Sequence, residues 1–156
     1  MYISVIGAGE CGPDLEAKAM ETGSEIARRG HTLVCGGLGG VMDAAARGAS
    51  SAGGLSIGIL PDAERGGSST WLTCSVPTGM GEARNALVVR AGDVLIAIGG
   101  GYGTLSEIAL ALKASKTVIG IDTWALPGDL PWGVVEASDP VEAVDLAEKA
   151  VQGGAR

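Results

Sequence analysis

Glu107 closes the stretch Ile98-Gly-Gly-Gly-Tyr-Gly-Thr-Leu-Ser-Glu107, in which an apolar run gives way to three consecutive glycines and then to a carboxylate. Bare backbone at Gly99, Gly100, Gly101 and Gly103 lets a phosphate approach peptide N–H groups. A helix starting there adds unpaired donors and the positive end of its dipole. Glu107 would lie one turn into that helix beside the bound anion, where a carboxylate needs a task that offsets the repulsion. Thr104-Leu-Ser-Glu107 also reads as a capping box, in which the glutamate only bonds back to the N–H of the cap. Both uses stay open. Arg84 is the other chemically suggestive residue. On a helix over 79–91 its neighbours at minus four, plus three, plus four and plus seven are Met80, Leu87, Val88 and Ala91. A guanidinium on that apolar side needs an anionic partner, either Glu107 or a ligand. Arg90, near the end of the same helix, suits the dipole without one.

Two more glycine clusters follow strand-like runs. Gly36-Gly37-Leu-Gly39-Gly40-Val-Met-Asp43 leads into a helix carrying Arg47, and with the third loop it could hold one phosphate between two strand ends. Gly7-Ala-Gly9-Glu-Cys-Gly12 matches the dinucleotide pattern G-x-G-x-x-G. That fingerprint also needs an acidic residue at the end of the next strand for the ribose, and Val34-Cys35-Gly36-Gly37 has none. No lysine follows any of these loops as a P-loop requires.

The elements that position these loops alternate. Apolar runs at 2–6, 32–35, 55–60, 94–98 and 117–121 are separated by helical stretches at 14–29, 40–51, 79–91 and 103–114, with a last helix over about 140–151. Alternation of this kind predicts parallel strands with crossover helices, and continuous rather than alternating apolar runs predict burial on both faces. The expected fold is α/β, a doubly wound parallel sheet with helices on both faces, in one domain over 1–156. Ser138-Asp139-Pro140 supplies an Asp cap and Pro at the first helical position, with Val141, Val144, Ala147 and Val151 expected against the sheet. Segments 61–70 and 124–133 look irregular and are expected to border the site.

Composition narrows the function. The 156 residues are 46% hydrophobic and 19% charged, enough for one core. A net charge of −7 with eleven scattered Lys and Arg excludes a basic nucleic-acid groove. Cys11, Cys35 and Cys74 show neither metal-ligand nor disulfide spacing, so free thiols and no metal are expected. No segment approaches the roughly 20 apolar residues of a membrane span, and a cytoplasmic protein is expected.

Gly100-Gly101-Tyr-Gly103-Thr104-Leu-Ser-Glu107, with the Arg84 segment and Gly36-Gly37-Leu-Gly39-Gly40-Val-Met42, resembles the Lonely Guy family of nucleotide phosphoribohydrolases, whose members often carry the label lysine decarboxylase. Pro77-Thr-Gly-Met-Gly-Glu-Ala-Arg-Asn85 and Val5-Ile-Gly-Ala-Gly-Glu-Cys11 are similar to the branch containing molybdenum cofactor carrier proteins. The resemblance implies a nucleoside 5′-monophosphate such as AMP, cleaved between base and ribose, with Glu107 and Arg84 as the catalytic pair and Gly100, Gly101, Gly103 and Thr104 around the phosphate. Glu107 would stabilise an oxocarbenium-like ribose or activate water. The alternative is a carrier of molybdenum cofactor or another phosphorylated ligand on the same loops. No required cofactor, and a homo-oligomer of two or four subunits, are also implied. Two residues depart from the hydrolase pattern: Gly99 stands where it has Pro, and Ser106 where it commonly has a second acid. Decarboxylation takes a pyridoxal cofactor on a lysine in a suitable pocket. Lys18, Lys113, Lys116 and Lys149 are all placed on helices or their ends, away from the glycine loops.

Overall fold

A computed structural model describes residues 1–126 and 133–153. Its strands are β1 (Tyr2–Gly7), β2 (Thr32–Cys35), β3 (Leu55–Leu60), β4 (Cys74–Pro77), β5 (Val94–Ile98), β6 (Val118–Ile121) and β7 (Val134–Glu136). All pair in parallel in the order β4-β3-β2-β1-β5-β6-β7. The helices are α1 (Pro13–Arg28), α2 (Val41–Ser51), α3 (Asn85–Ala91), α4 (Tyr102–Lys113) and α5 (Pro140–Gly153). This is the expected doubly wound α/β sheet. One apolar cluster joins α1, α2 and α5 to one face through residues such as Ile3, Val5, Ile26, Ile96 and Val144. The other joins α3 and α4 to the opposite face through Val34, Val88, Leu95 and Ile108.

Chain direction across the sheet reverses between β1 and β5, whose registers run Ile3 to Gly7 against Val94 to Ile98. At such a switch point the loops leaving the two strands diverge to opposite faces and open a crevice at the carboxyl ends. The first glycine cluster leaves β1 and the third leaves β5, so topology alone brings them together.

Three details differ from the sequence reading. β4 and β7 were not expected, because these short edge strands are not buried on both faces and carry no continuous apolar run. The helix expected over 79–91 begins only at Asn85, after a 3-10 turn over Gly81–Arg84. Gly79 and Gly81 spend their N–H groups on the carbonyls of Asp62 and Pro61, at 3.0 and 2.9 Å, rather than on a helix. On α5 Val144, Ala147 and Val151 pack inward as expected, but Val141 is exposed and Ala143 is buried instead. The Asp139 cap forms as read, its Oδ1 accepting from the Glu142 N–H at 2.9 Å. Of the segment 124–133, residues 127–132 lie outside the described residues. All three cysteines are free, and no described helix is long and apolar enough to cross a membrane.

Candidate functional site

A cavity of about 350 Å³ opens at the β1/β5 switch point. Its floor and sides are backbone at Gly7, Ala8, Gly9, Gly36, Gly101 and Gly103, and its polar side chains are Glu82, Arg84, Asn85, Thr104 and Glu107. Ile6, Leu38, Met42 and Pro61 supply an apolar wall. None of the lysines lines it.

Glu107 comes from the second turn of α4 and is only 6% exposed. The helix begins one residue earlier than expected, so Gly101 occupies the cap and Thr104 lies inside the first turn, with no side-chain cap bond. The capping-box reading of Glu107 is therefore corrected. Among the described residues its carboxylate makes no hydrogen bond; its nearest charge is the Arg84 Nη1 at 3.9 Å. Burial pushes the carboxyl up to about 7, with Arg84 pulling weakly the other way.

Arg84 is 7% exposed. It is buried beside Val88, whereas Met80 and Leu87 are exposed, so only part of the expected apolar side faces inward. Its Nη2 donates to the Gly36 carbonyl at 3.2 Å and its Nη1 to the Asn85 Oδ1. That second bond fixes a chain of donors, because arginine only donates. The Asn85 amide must accept through oxygen, so its Nδ2 donates to the Ser106 Oγ at 3.4 Å, and the Ser106 hydroxyl donates to the Gly103 carbonyl at 2.7 Å. The second and third glycine loops are thus tied through Arg84. Ser106, in place of the acid common in hydrolases, is a link in that tie.

Among the described residues, two buried polar atoms on this cavity have no partner, Arg84 Nε and Thr104 Oγ1. Orphaned buried donors cost roughly 1–3 kcal/mol each, and native proteins rarely leave them without use. Together with the free N–H groups opening α4, they form a donor-lined cavity suited to an anion.

The expected glycine positions divide. Gly36, Gly101 and Gly103 line the cavity. The bare Cα of Gly36 is what admits the guanidinium, since a Cβ there would stand 2.6 Å from the Arg84 Nη2 and from the Met42 Sδ. Gly37 packs against Leu60 and Gly58, Gly39 and Gly40 against the Ala8–Gly9 backbone, Gly99 against Leu15, and Gly100 over Thr104. These five shape the loops without lining the cavity. Gly99 has φ +52° and donates to the Ile121 carbonyl at 2.9 Å. Proline can do neither, so this loop enters its helix along a path closed to the proline of the hydrolase pattern.

Gly7, Ala8 and Gly9 were not among the expected site residues, yet they line the cavity. Their only signal in the sequence was the G-x-G-x-x-G pattern, set aside for lack of a ribose carboxylate. Both irregular segments reach the site. Pro61 lines the cavity and the Ser69 N–H donates to the Gly37 carbonyl at 2.9 Å, while the Trp124 Nε1 donates to the Gly101 carbonyl at 3.2 Å. Cys35 lies below, where burial pushes its thiol up to about 11 and leaves it unreactive.

The SLOG cluster4 family pattern matches residues 1–150 of the chain. The chain belongs to that family, within the Lonely Guy-like Rossmann superfamily. An uncharacterised protein of Archaeoglobus fulgidus is 50% identical over 118 residues, covering 76% of this chain and 78% of that one. A relative in Oryza sativa subsp. japonica, named "Probable cytokinin riboside 5′-monophosphate phosphoribohydrolase", is 36% identical over 93 residues, covering 58% of this chain and 41% of the rice protein. Among solved structures, the molybdenum cofactor binding protein of Rippkaea orientalis superposes with a TM-score of 0.88 at 39% identity, covering 95% of each chain.

Proposed function

We propose that the cavity binds a nucleoside 5′-monophosphate and hydrolyses its N-glycosidic bond, releasing free base and ribose 5-phosphate. The observation that carries this reading is the buried Glu107 carboxylate, without a hydrogen bond among the described residues, on a cavity where Arg84 Nε and Thr104 Oγ1 have no partner among those residues. The phosphate would take the N–H groups opening α4 and the Thr104 hydroxyl, with Gly101 and Gly103 bare beneath it. The base would lie on Leu38, Met42 and Pro61, leaving the ribose between Arg84 and Glu107.

In the reaction, a water oxygen bonds to C1′ as the C1′–N bond breaks and its electron pair passes to the base. Glu107 takes the proton lost by water, and the base nitrogen is protonated in turn. A carboxylate that titrates near 7 is a competent base at neutral pH, and its negative charge stabilises the oxocarbenium-like ribose. Arg84 orients Glu107 and balances the phosphate.

A second reading is carriage of molybdenum cofactor, or of another phosphorylated ligand, on the same loops without turnover. Similarity to the Rippkaea orientalis protein along nearly the whole chain supports it, as does the Gly99 loop path. Both readings place the protein in the cytoplasm as a homo-oligomer of two or four subunits.

Chromatography of base released from a panel of nucleoside 5′-monophosphates separates the two. Hydrolysis predicts release that falls at least ~100-fold in Glu107→Gln. Release unchanged in that variant contradicts the role of Glu107, and no release from any nucleotide leaves carriage.

A further inference from the structure

Glu82 is a second carboxylate on the same cavity, and neither the glycine loops nor the hydrolysis gives it work. It lies in the 3-10 turn over Gly81–Arg84, exposed at the cavity mouth, and among the described residues it has no hydrogen bond and no ion pair. The turn itself is held in place. Beside the bonds from Gly79 and Gly81 to the 61–62 carbonyls, the Thr78 Oγ1 donates to the Leu60 carbonyl at 2.7 Å. Glu82 therefore has a fixed base next to Pro61, on the side of the apolar wall.

A carboxylate at the mouth of a cavity that takes an anion raises the cost of admitting that anion. Donor groups on the ligand are what would offset it. An ionised carboxylate offers two acceptor oxygens side by side and no donor, so its best complement is a pair of neighbouring N–H groups. Ile6, Leu38, Met42 and Pro61 suit the face of a flat ring and supply no cation. The ring edge with two adjacent donors is that of a 2-amino-4-oxopyrimidine, shared by guanine and the pterins. Adenine sets its amino group beside a ring acceptor, and hypoxanthine has the ring N–H alone. Each of these would satisfy one oxygen of Glu82 and leave the other without a partner.

We infer that Glu82 is the specificity-determining residue of the cavity, accepting two hydrogen bonds from the 2-amino-4-oxopyrimidine edge of a guanine nucleotide or a pterin phosphate laid against Leu38, Met42 and Pro61. This inference rests on the phosphate-ligand reading. Its ring chemistry is common to the nucleotide and to the pterin of a cofactor, so it holds for hydrolysis and for carriage alike.

The test is a set of thermal-shift titrations of the wild type and Glu82→Gln with GMP, IMP, AMP, neopterin monophosphate and ribose 5-phosphate. A bidentate pair predicts that GMP, neopterin monophosphate or both bind at least about tenfold more tightly than AMP and IMP. Glu82→Gln, which keeps one acceptor and loses the charge, removes that preference, while AMP and ribose 5-phosphate bind as tightly as before or more tightly. Preference for GMP alone assigns a nucleotide, and for the pterin alone a cofactor-like ligand. AMP binding as tightly as both GMP and the pterin overturns the inference, as does a variant in which every ligand weakens equally. Failure of ribose 5-phosphate and of every ring-bearing ligand to bind the wild type overturns instead the phosphate-ligand reading beneath it.

Discussion

Two arginines of this protein sit in opposite kinds of surroundings. Arg29, just past the end of α1, meets three carboxylates: Glu25 at 2.8 Å, Asp145 at 2.5 Å and Glu148 at 3.2 Å. Its hydrogen bond holds Asp145 below the usual carboxylate range, and the bond from His31, helped by Arg29, holds Glu148 low as well. Arg84 is more buried, yet among the described residues its one carboxylate neighbour is 3.9 Å away and its Nε has no partner. Charges that complete one another fasten α1 to α5. Charges left incomplete, with Glu107 pushed up rather than down, mark a place kept for something absent from the chain.

The contrast predicts opposite behaviour on mutation. Glu107→Gln has the largest expected effect, a loss of roughly 10²–10⁴ in base release with the fold intact by circular dichroism. Substituting Asp145 leaves release unaffected. Next is pH. Glu107 binds its proton more tightly when folded than at its ordinary value of 4.5, so the folded state holds more protons between about 4.5 and 7. Stability therefore falls as pH rises through that window and is level above it. The fall is on the order of 3 kcal/mol, measured by urea unfolding at pH 5 and pH 8, and it is absent in Glu107→Gln. Asp145 and Glu148 have the opposite sign, their stabilisation being lost only as pH drops below the ordinary carboxylate range.

Smaller effects sharpen the same comparison. Asn85→Asp sets a carboxylate against Arg84 and neutralises it, lowering affinity for ribose 5-phosphate about tenfold while the melting temperature holds or rises. Arg29→Ala lowers the melting temperature by about 3 °C and leaves that affinity unchanged. An Asn85→Asp protein that binds as well as the wild type would show that the charge of Arg84 is not held for a ligand.

Much of this was legible in the chain. Val94 to Ile98 reads as a central strand because burial on both faces demands an unbroken apolar run, and Asp139-Pro140 reads as a helix start because the cap bond is local. Glu107 and Arg84 stand out by type, each too polar for its neighbours. What could not be read depends on long-range packing. β4 and β7 exist only because a neighbouring strand offers an edge. The helix start at Tyr102 rather than at Leu105 decides whether Thr104 caps or is orphaned. The Gly7–Gly9 loop joins the cavity because β1 and β5 are neighbours in space, although 86 residues separate the end of β1 from the start of β5.

The claim that Arg84 is kept incomplete for a phosphate ligand is tested most directly by unfolding the wild type and Arg84→Met with and without ribose 5-phosphate. A wild type stabilised by about 2.7 kcal/mol at a hundredfold excess over the dissociation constant is predicted, and a folded variant, less stable than the wild type alone because it loses the bonds to Gly36 and Asn85, that the ligand does not move. Equal stabilisation of both proteins, or none of the wild type, would contradict it.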